Sequence, residues 1–174
     1  MTDDRAALSR VNRWPKLAAA IGATAAIITG TTVTKWESGG QQHLEAYHGA
    51  ADAPGIWTIC DGDTLNVKPG DRETSAGCAV RVDKRLVSFV APVLKAAPTL
   101  KGHPYQLAAS ISLAYNIGAA NFATSTVARR FRAGDWVGAC TAFAMWNRAN
   151  GKVVPGLVNR RTDEIKICLT ELPK

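Results

Sequence analysis

The chain has 174 residues, 47% hydrophobic and 20% charged, with 15 Gly and 8 Pro. That profile leaves room for one domain and a short extension, and excludes a second full domain, a fibre or a disordered chain. The formal charge is +7, and because residues 1–34 hold only 4 of the 21 Lys and Arg and 2 of the 14 Asp and Glu, the remainder carries +5. Such an excess favours encounter with anionic polymers. No basic cluster interleaved with aromatics, nucleotide-binding glycine motif or zinc-ligand pair accompanies it, which sets nucleic acid aside as a partner.

Residues 1–16, MTDDRAALSRVNRWPK, carry Arg5, Arg10, Arg13 and Lys16, whereas residues 17–33, LAAAIGATAAIITGTTV, carry no charge. A basic region before an uncharged apolar run is the pattern of an export signal or membrane anchor whose basic side stays in the cytoplasm. The run is short for a span and rich in Ala, Gly and Thr; only Leu17, Ile21, Ile27, Ile28 and Val33 supply strong apolar surface, so it should hold a bilayer weakly. The expected division is 1–34 as a basic region and weak anchor and 35–174 as the working domain. Cleavage near Ala23-Thr24-Ala25 is one alternative, and a buried helix of a soluble protein is the plainer one.

Downstream, Ile56, Trp57, Thr58 and Ile59 lie among Gly and Asp between Tyr47 and Val67, which predicts a short hairpin or small sheet. Thr74 and Ser75 follow the turn KPGDRET and can cap a helix, SAGCAVRVDKRLVSFVAPVLK, whose Cys78, Val82, Leu86, Phe89, Val90, Val93 and Leu94 recur at helical spacing. PYQLAASISLAYNIG reads as a core helix, apolar on most sides. Thr124-Ser125-Thr126 opens another, with Val127 and Phe131 inward, Gly134-Asp135 separates it from DWVGACTAFAMWN, and a last helix runs from about Gly156 to Leu169. A small β-element followed by about five helices is an α+β fold with helices dominant.

Cys60, Cys78, Cys140 and Cys168 are even in number and form no CxxC pair, which disfavours a metal site. Outside the cytoplasm, Cys60–Cys78 and Cys140–Cys168 are the preferred disulfides because each closes a loop of moderate length. His43 or His48 beside Cys60 is a candidate nucleophilic pair that a disulfide would silence. Carboxylates are the stronger candidates, since glycosidic cleavage needs one acid for the leaving oxygen and a second carboxylate for the cation or water. Glu37, flanked by Trp36, suits the acid; Asp52, in a Gly- and Ala-rich loop, suits the ionised partner; Thr58 could hold the water.

The order Glu37, Leu44, Ala46-Tyr47, Asp52-Ala-Pro-Gly55, Trp57-Thr58-Ile59, Gly62-Asp63-Thr64 resembles the catalytic region of phage-type lysozymes, glycoside hydrolase family 24. SLAYNIGAANFATSTVARRF, GDWVGACTAFAMWNRANGK and GLVNRR resemble that family's helical lobe, so the likeness covers roughly residues 36–170. The cysteines and weak anchor are similar to the signal-arrest-release endolysin subgroup. The resemblance implies a two-lobed lysozyme-like domain that hydrolyses the β-1,4 bond between N-acetylmuramic acid and N-acetylglucosamine without cofactor and lyses the bacterial host. It implies Glu37 as general acid, Asp52 as second carboxylate, Thr58 as the water-positioning residue, and inversion as the outcome. It further implies a monomer held through residues 17–34 on the periplasmic side of the inner membrane and then released.

Asp52 lies fifteen residues after Glu37, a longer step than the family usually shows, which keeps Glu45 as the alternative acid. Asn116 is read as a helix-end residue or a sugar contact, Trp146 as core, and Arg160 and Arg161 as pairing locally with Asp163 and Glu164 or contacting the wall. A non-catalytic peptidoglycan-binding module is the rival function.

Overall fold

The computed structural model describes residues 13–38, 42–48 and 55–173. The described residues begin with two helices, α1 (Pro15–Ile21) and α2 (Ala23–Ser38), joined at Gly22. Gly22 sits at φ 83°, a left-handed conformation that a side chain would strain, and it breaks the run that a single helix would otherwise occupy. The boundary after residue 34 thus falls inside α2, and Trp14, Leu17 and Val33 are buried in the same core as the helices downstream. Among the described residues, no helix is long and apolar enough to cross a membrane.

Three threonines of α2, the buried Thr29, the half-buried Thr34 and the exposed Thr31, meet their own polarity within the helix. Thr29, Thr31 and Thr34 turn their hydroxyls back to the carbonyls of Ala25, Ile27 and Gly30 at 2.7, 2.7 and 2.9 Å. Each hydroxyl is satisfied within its own helix, so the helix presents little unmet polarity to whatever surrounds it.

The predicted sheet is a two-stranded antiparallel ladder of β1 (His43–Tyr47) and β2 (Thr58–Cys60), pairing His43 with Cys60 and Tyr47 with Thr58. α3 (Ser75–Ala96) begins where expected, because the Thr74 hydroxyl accepts the Gly77 N–H at 3.0 Å and closes one of the orphan donors of the first turn. Its predicted face is buried at Cys78, Val82, Leu86, Val90 and Val93. α4 (Pro104–Ile117) is the central helix, packed against α2, α3 and the final helix, α8 (Pro155–Cys168). Between α4 and α8 lie α5 (Ala119–Thr124), α6 (Thr126–Arg132) and α7 (Trp136–Thr141), then a hairpin of β3 (Arg148–Ala149) and β4 (Lys152–Val153).

Ser125 caps α6 and Asp135 caps α7, each accepting an N–H three residues on, and Val127 and Phe131 are buried as predicted. α5 and the second hairpin were not foreseen, because six-residue and two-residue elements are too short to show a period. Both preferred disulfides are present, Cys60–Cys78 and Cys140–Cys168, with Cα separations of 5.2 and 5.5 Å. The first ties β2 to the start of α3, and the second ties α7 to the end of α8. The Cys60 thiol is therefore unavailable as a nucleophile for His43 or His48.

Candidate active site

Glu37 stands on the last turn of α2, its side chain 22% exposed. Its Oε1 accepts a hydrogen bond from Arg160 Nη1 at 2.6 Å, a charge-assisted contact between residues 123 positions apart. Its Oε2 faces the turn after β2: a Cβ built on Gly62 would lie 3.5 Å from that oxygen. That turn is closed at both ends, with Ile59 N–H donating to the Asp63 carbonyl at 2.9 Å and Asp63 N–H donating back at 3.0 Å. Gly62 takes φ 86°, the left-handed region that only glycine enters freely.

The turn has three outside anchors. Cys60 is bonded to Cys78. Asp63 pairs with Arg81 Nη1 at 3.0 Å, and Arg81 Nε also pairs with Glu73 at 2.9 Å. Asp61 is buried and takes the Gln42 amide on Oδ2 at 3.0 Å, while its Oδ1 has no hydrogen bond among the described residues. Asp61, Arg81 and Glu73 carry no signal in the linear sequence, since their partners lie in other elements.

Behind Glu37, α4 and α8 carry a buried ionic cluster. Arg160, 4% exposed, reaches Glu37 with one nitrogen, Glu164 Oε1 with Nε at 3.2 Å, and the Ser112 carbonyl with Nη2 at 3.3 Å. Ser112 Oγ donates to the same Glu164 oxygen at 2.6 Å. Arg161 spans Asn116 Oδ1 at 2.7 Å and Glu164 Oε2 at 3.2 Å. Burial pushes the Glu164 carboxyl up against the opposing pull of Arg161, Ser112 and Arg160, and burial lowers the Arg161 guanidinium to about 10 against the pull of Glu164. Tyr115, next to Asn116 and in tilted contact with Phe89 with ring centroids 5.4 Å apart, has its hydroxyl pKa raised, first by burial and then by the negative charge of Glu37.

Of the local pairing expected for Arg160 and Arg161, the Glu164 half is present, while Asp163 instead takes Lys35 of α2 at 2.6 Å. Asn116 is held by Arg161, which favours its structural reading, and Trp146 is partly buried against the core. Thr58 is 5% exposed on β2. Glu45 lies on β1, is largely exposed, and pairs with Arg72 at 2.8 Å. Asp52 lies outside the described residues.

The family model for phage lysozyme matches residues 34–164. The chain belongs to the phage lysozyme family. It is similar to a SAR-endolysin of Enterobacteria phage P21, 37% identical over 88% of this chain and 93% of that protein. Among solved structures, a mutant of P22 lysozyme is 29% identical with a TM-score of 0.67, covering 81% of this chain and 95% of its own. The muramidase domain of SpmX from Asticaccaulis excentricus is 25% identical with a TM-score of 0.69, covering 82% and 95%. The architecture is accordingly the two-lobed α+β lysozyme fold, and the protein is a glycoside hydrolase that acts on peptidoglycan.

Proposed function

We propose that the lysozyme is a phage endolysin that cleaves the β-1,4 bond between N-acetylmuramic acid and N-acetylglucosamine, with Glu37 as its general acid. The observation that carries this is the asymmetric setting of the Glu37 carboxyl: Oε1 is occupied by Arg160, while Oε2 points at the Gly62 turn. The proton for the leaving glycosidic oxygen sits on Oε2, and Arg160 keeps the group oriented while it is given up. Asp52 is the second carboxylate, which stabilises the sugar cation or takes a proton from the attacking water, and Thr58 positions that water. The water's oxygen ends on the anomeric carbon, and the proton from Glu37 ends on the departing hydroxyl.

The same proposal covers location. The enzyme acts as a monomer, residues 17–34 first hold it on the periplasmic face of the inner membrane, and it is then released to the periplasm. The basic flank and the uncharged run support this, as does the name SAR-endolysin carried by the P21 relative. While the segment is in lipid, Glu37 lies only four residues beyond Val33 and cannot take its place beside Arg160. A chain locked into the membrane by extra leucines in residues 17–33 should therefore fail to lyse cells.

The chemical assignment is tested by mass spectrometry of fragments released from purified peptidoglycan. Fragments ending in reducing N-acetylmuramic acid are expected from the parent and from Glu45→Gln, with none above background from Asp52→Asn. Release by Asp52→Asn at the parent's rate would remove Asp52 from the mechanism, and loss in Glu45→Gln would move the acid role to Glu45.

A further inference from the structure

The start of α1 is capped by a residue of another helix. Pro15 has no N–H, and Trp14, at the cap position, makes no side-chain cap bond. The next two N–H groups both go to one carboxylate on α3: Lys16 to Asp83 Oδ2 at 3.0 Å and Leu17 to Asp83 Oδ1 at 2.9 Å. Asp83 is 2% exposed, and these are its hydrogen bonds among the described residues. A buried carboxylate is strongly destabilising unless donors meet it, whereas two charge-assisted bonds at the positive end of a helix meet it well. Beside it, Trp14 is buried against Gly30 of α2, where a Cβ would run into the indole ring. Carboxylate and indole seat thus grip the segment at its first turn.

We propose that Asp83 is the docking latch for the N-terminal segment, the group on the helical lobe that captures residues 14–17 and thereby seats α2 and its Glu37. This rests on the reading that residues 17–34 leave the membrane before the enzyme acts. With the segment away, the Asp83 carboxylate lacks both of these donors; with it docked, both oxygens are filled and the run bends at Gly22. Because the Lys16 N–H is one of the two donors, the basic flank at least as far as Lys16 must cross to the side of the catalytic lobe before the latch can close. Asp83 is a positioning residue: it touches no substrate and acts through α1 and α2.

The test is hydrogen exchange and hydrolysis on the full chain, comparing the parent with Asp83→Asn and Asp83→Leu. Asn offers one acceptor where two donors converge, and Leu removes the buried charge, so at least the Leu variant keeps a well-packed lobe. Both variants should lose at least tenfold protection at the Lys16 and Leu17 amides and at least tenfold in peptidoglycan hydrolysis. Amides of Leu86 and Ile111 in the lobe should exchange as in the parent. Parent-like protection at residues 16 and 17 together with parent-like hydrolysis in the Leu variant would overturn the latch. Membrane fractionation of the parent in cells separates the two ideas: a parent never found in the membrane would sink the release reading and leave the exchange result to judge Asp83 by itself.

Discussion

The helix caps of the lobe and the polar ties of the front of the molecule, where α1, α2 and Glu37 meet the lobe, differ in reach. In the lobe, caps are local: Thr74, Ser125 and Asp135 each accept an N–H three residues ahead. In the front, polar ties cross long stretches of chain, 67 residues from Lys16 to Asp83, 128 from Lys35 to Asp163 and 123 from Glu37 to Arg160. Local caps form as soon as their helix forms, whereas the long ties form only after the lobe exists to receive them. The position of Glu37 is therefore a property of the assembled fold more than of its own helix.

That contrast can be broken most severely at Arg160. Arg160→Met leaves Glu164 buried with fewer partners and releases Glu37 Oε1; about 3–5 kcal/mol of stability and at least tenfold in hydrolysis should be lost, read by urea unfolding and by sugar release. A stable, fully active variant would show that Glu37 needs no distant anchor. Trp14→Ala should destabilise by about 3–5 kcal/mol if the first turn is as integral to the core as its burial implies, again in urea. A loss near zero would mean that the segment contributes nothing to the folded enzyme. In the lobe, Thr74→Ala should remove about 1 kcal/mol and leave hydrolysis per folded molecule unchanged, which sharpens the difference between a local cap and a long tie.

The smallest effect concerns alkaline pH. Tyr115 has a pKa raised above its ordinary value of 10, so above pH 10 the unfolded chain loses the Tyr115 proton while the folded chain keeps it. The folded state then binds more protons, and stability contributed by this group falls as pH rises. Tyr115→Phe should show a shallower loss of stability than the parent between pH 10 and 11 in parallel thermal melts. Identical slopes would indicate that the burial of Tyr115 and its proximity to Glu37 do not act on its hydroxyl.

The same contrast explains what could be read in the sequence. α3 and α6 were legible because a cap residue and inward apolar positions lie within one short window, α4 because it is apolar on most sides, and both disulfides followed from loop length once a site outside the cytoplasm was expected. The family was legible because Glu37, the Trp57-Thr58-Ile59 step and the downstream helical stretches stand in a fixed order. Arg160's reach to Glu37, Lys35's to Asp163 and the Asp83 cap on α1 were not legible, since nothing in a linear spacing links residues so far apart. Nor did the uncharged run reveal its burial: its Ala, Gly and Thr content suits a weak membrane segment, and the same small residues let α2 pack closely, as Gly30 does against Trp14.

The most direct measurement is reducing-sugar release from purified peptidoglycan by the oxidised, folded chain beside Glu37→Gln, each checked for the same unfolding midpoint. Glutamine keeps the shape and can still accept from Arg160, but it has no acidic proton to give. The account predicts release by the parent and a loss of at least about 100-fold in Glu37→Gln. Release by a folded Glu37→Gln at the parent's rate would contradict it, and the acid would have to be sought elsewhere in the chain.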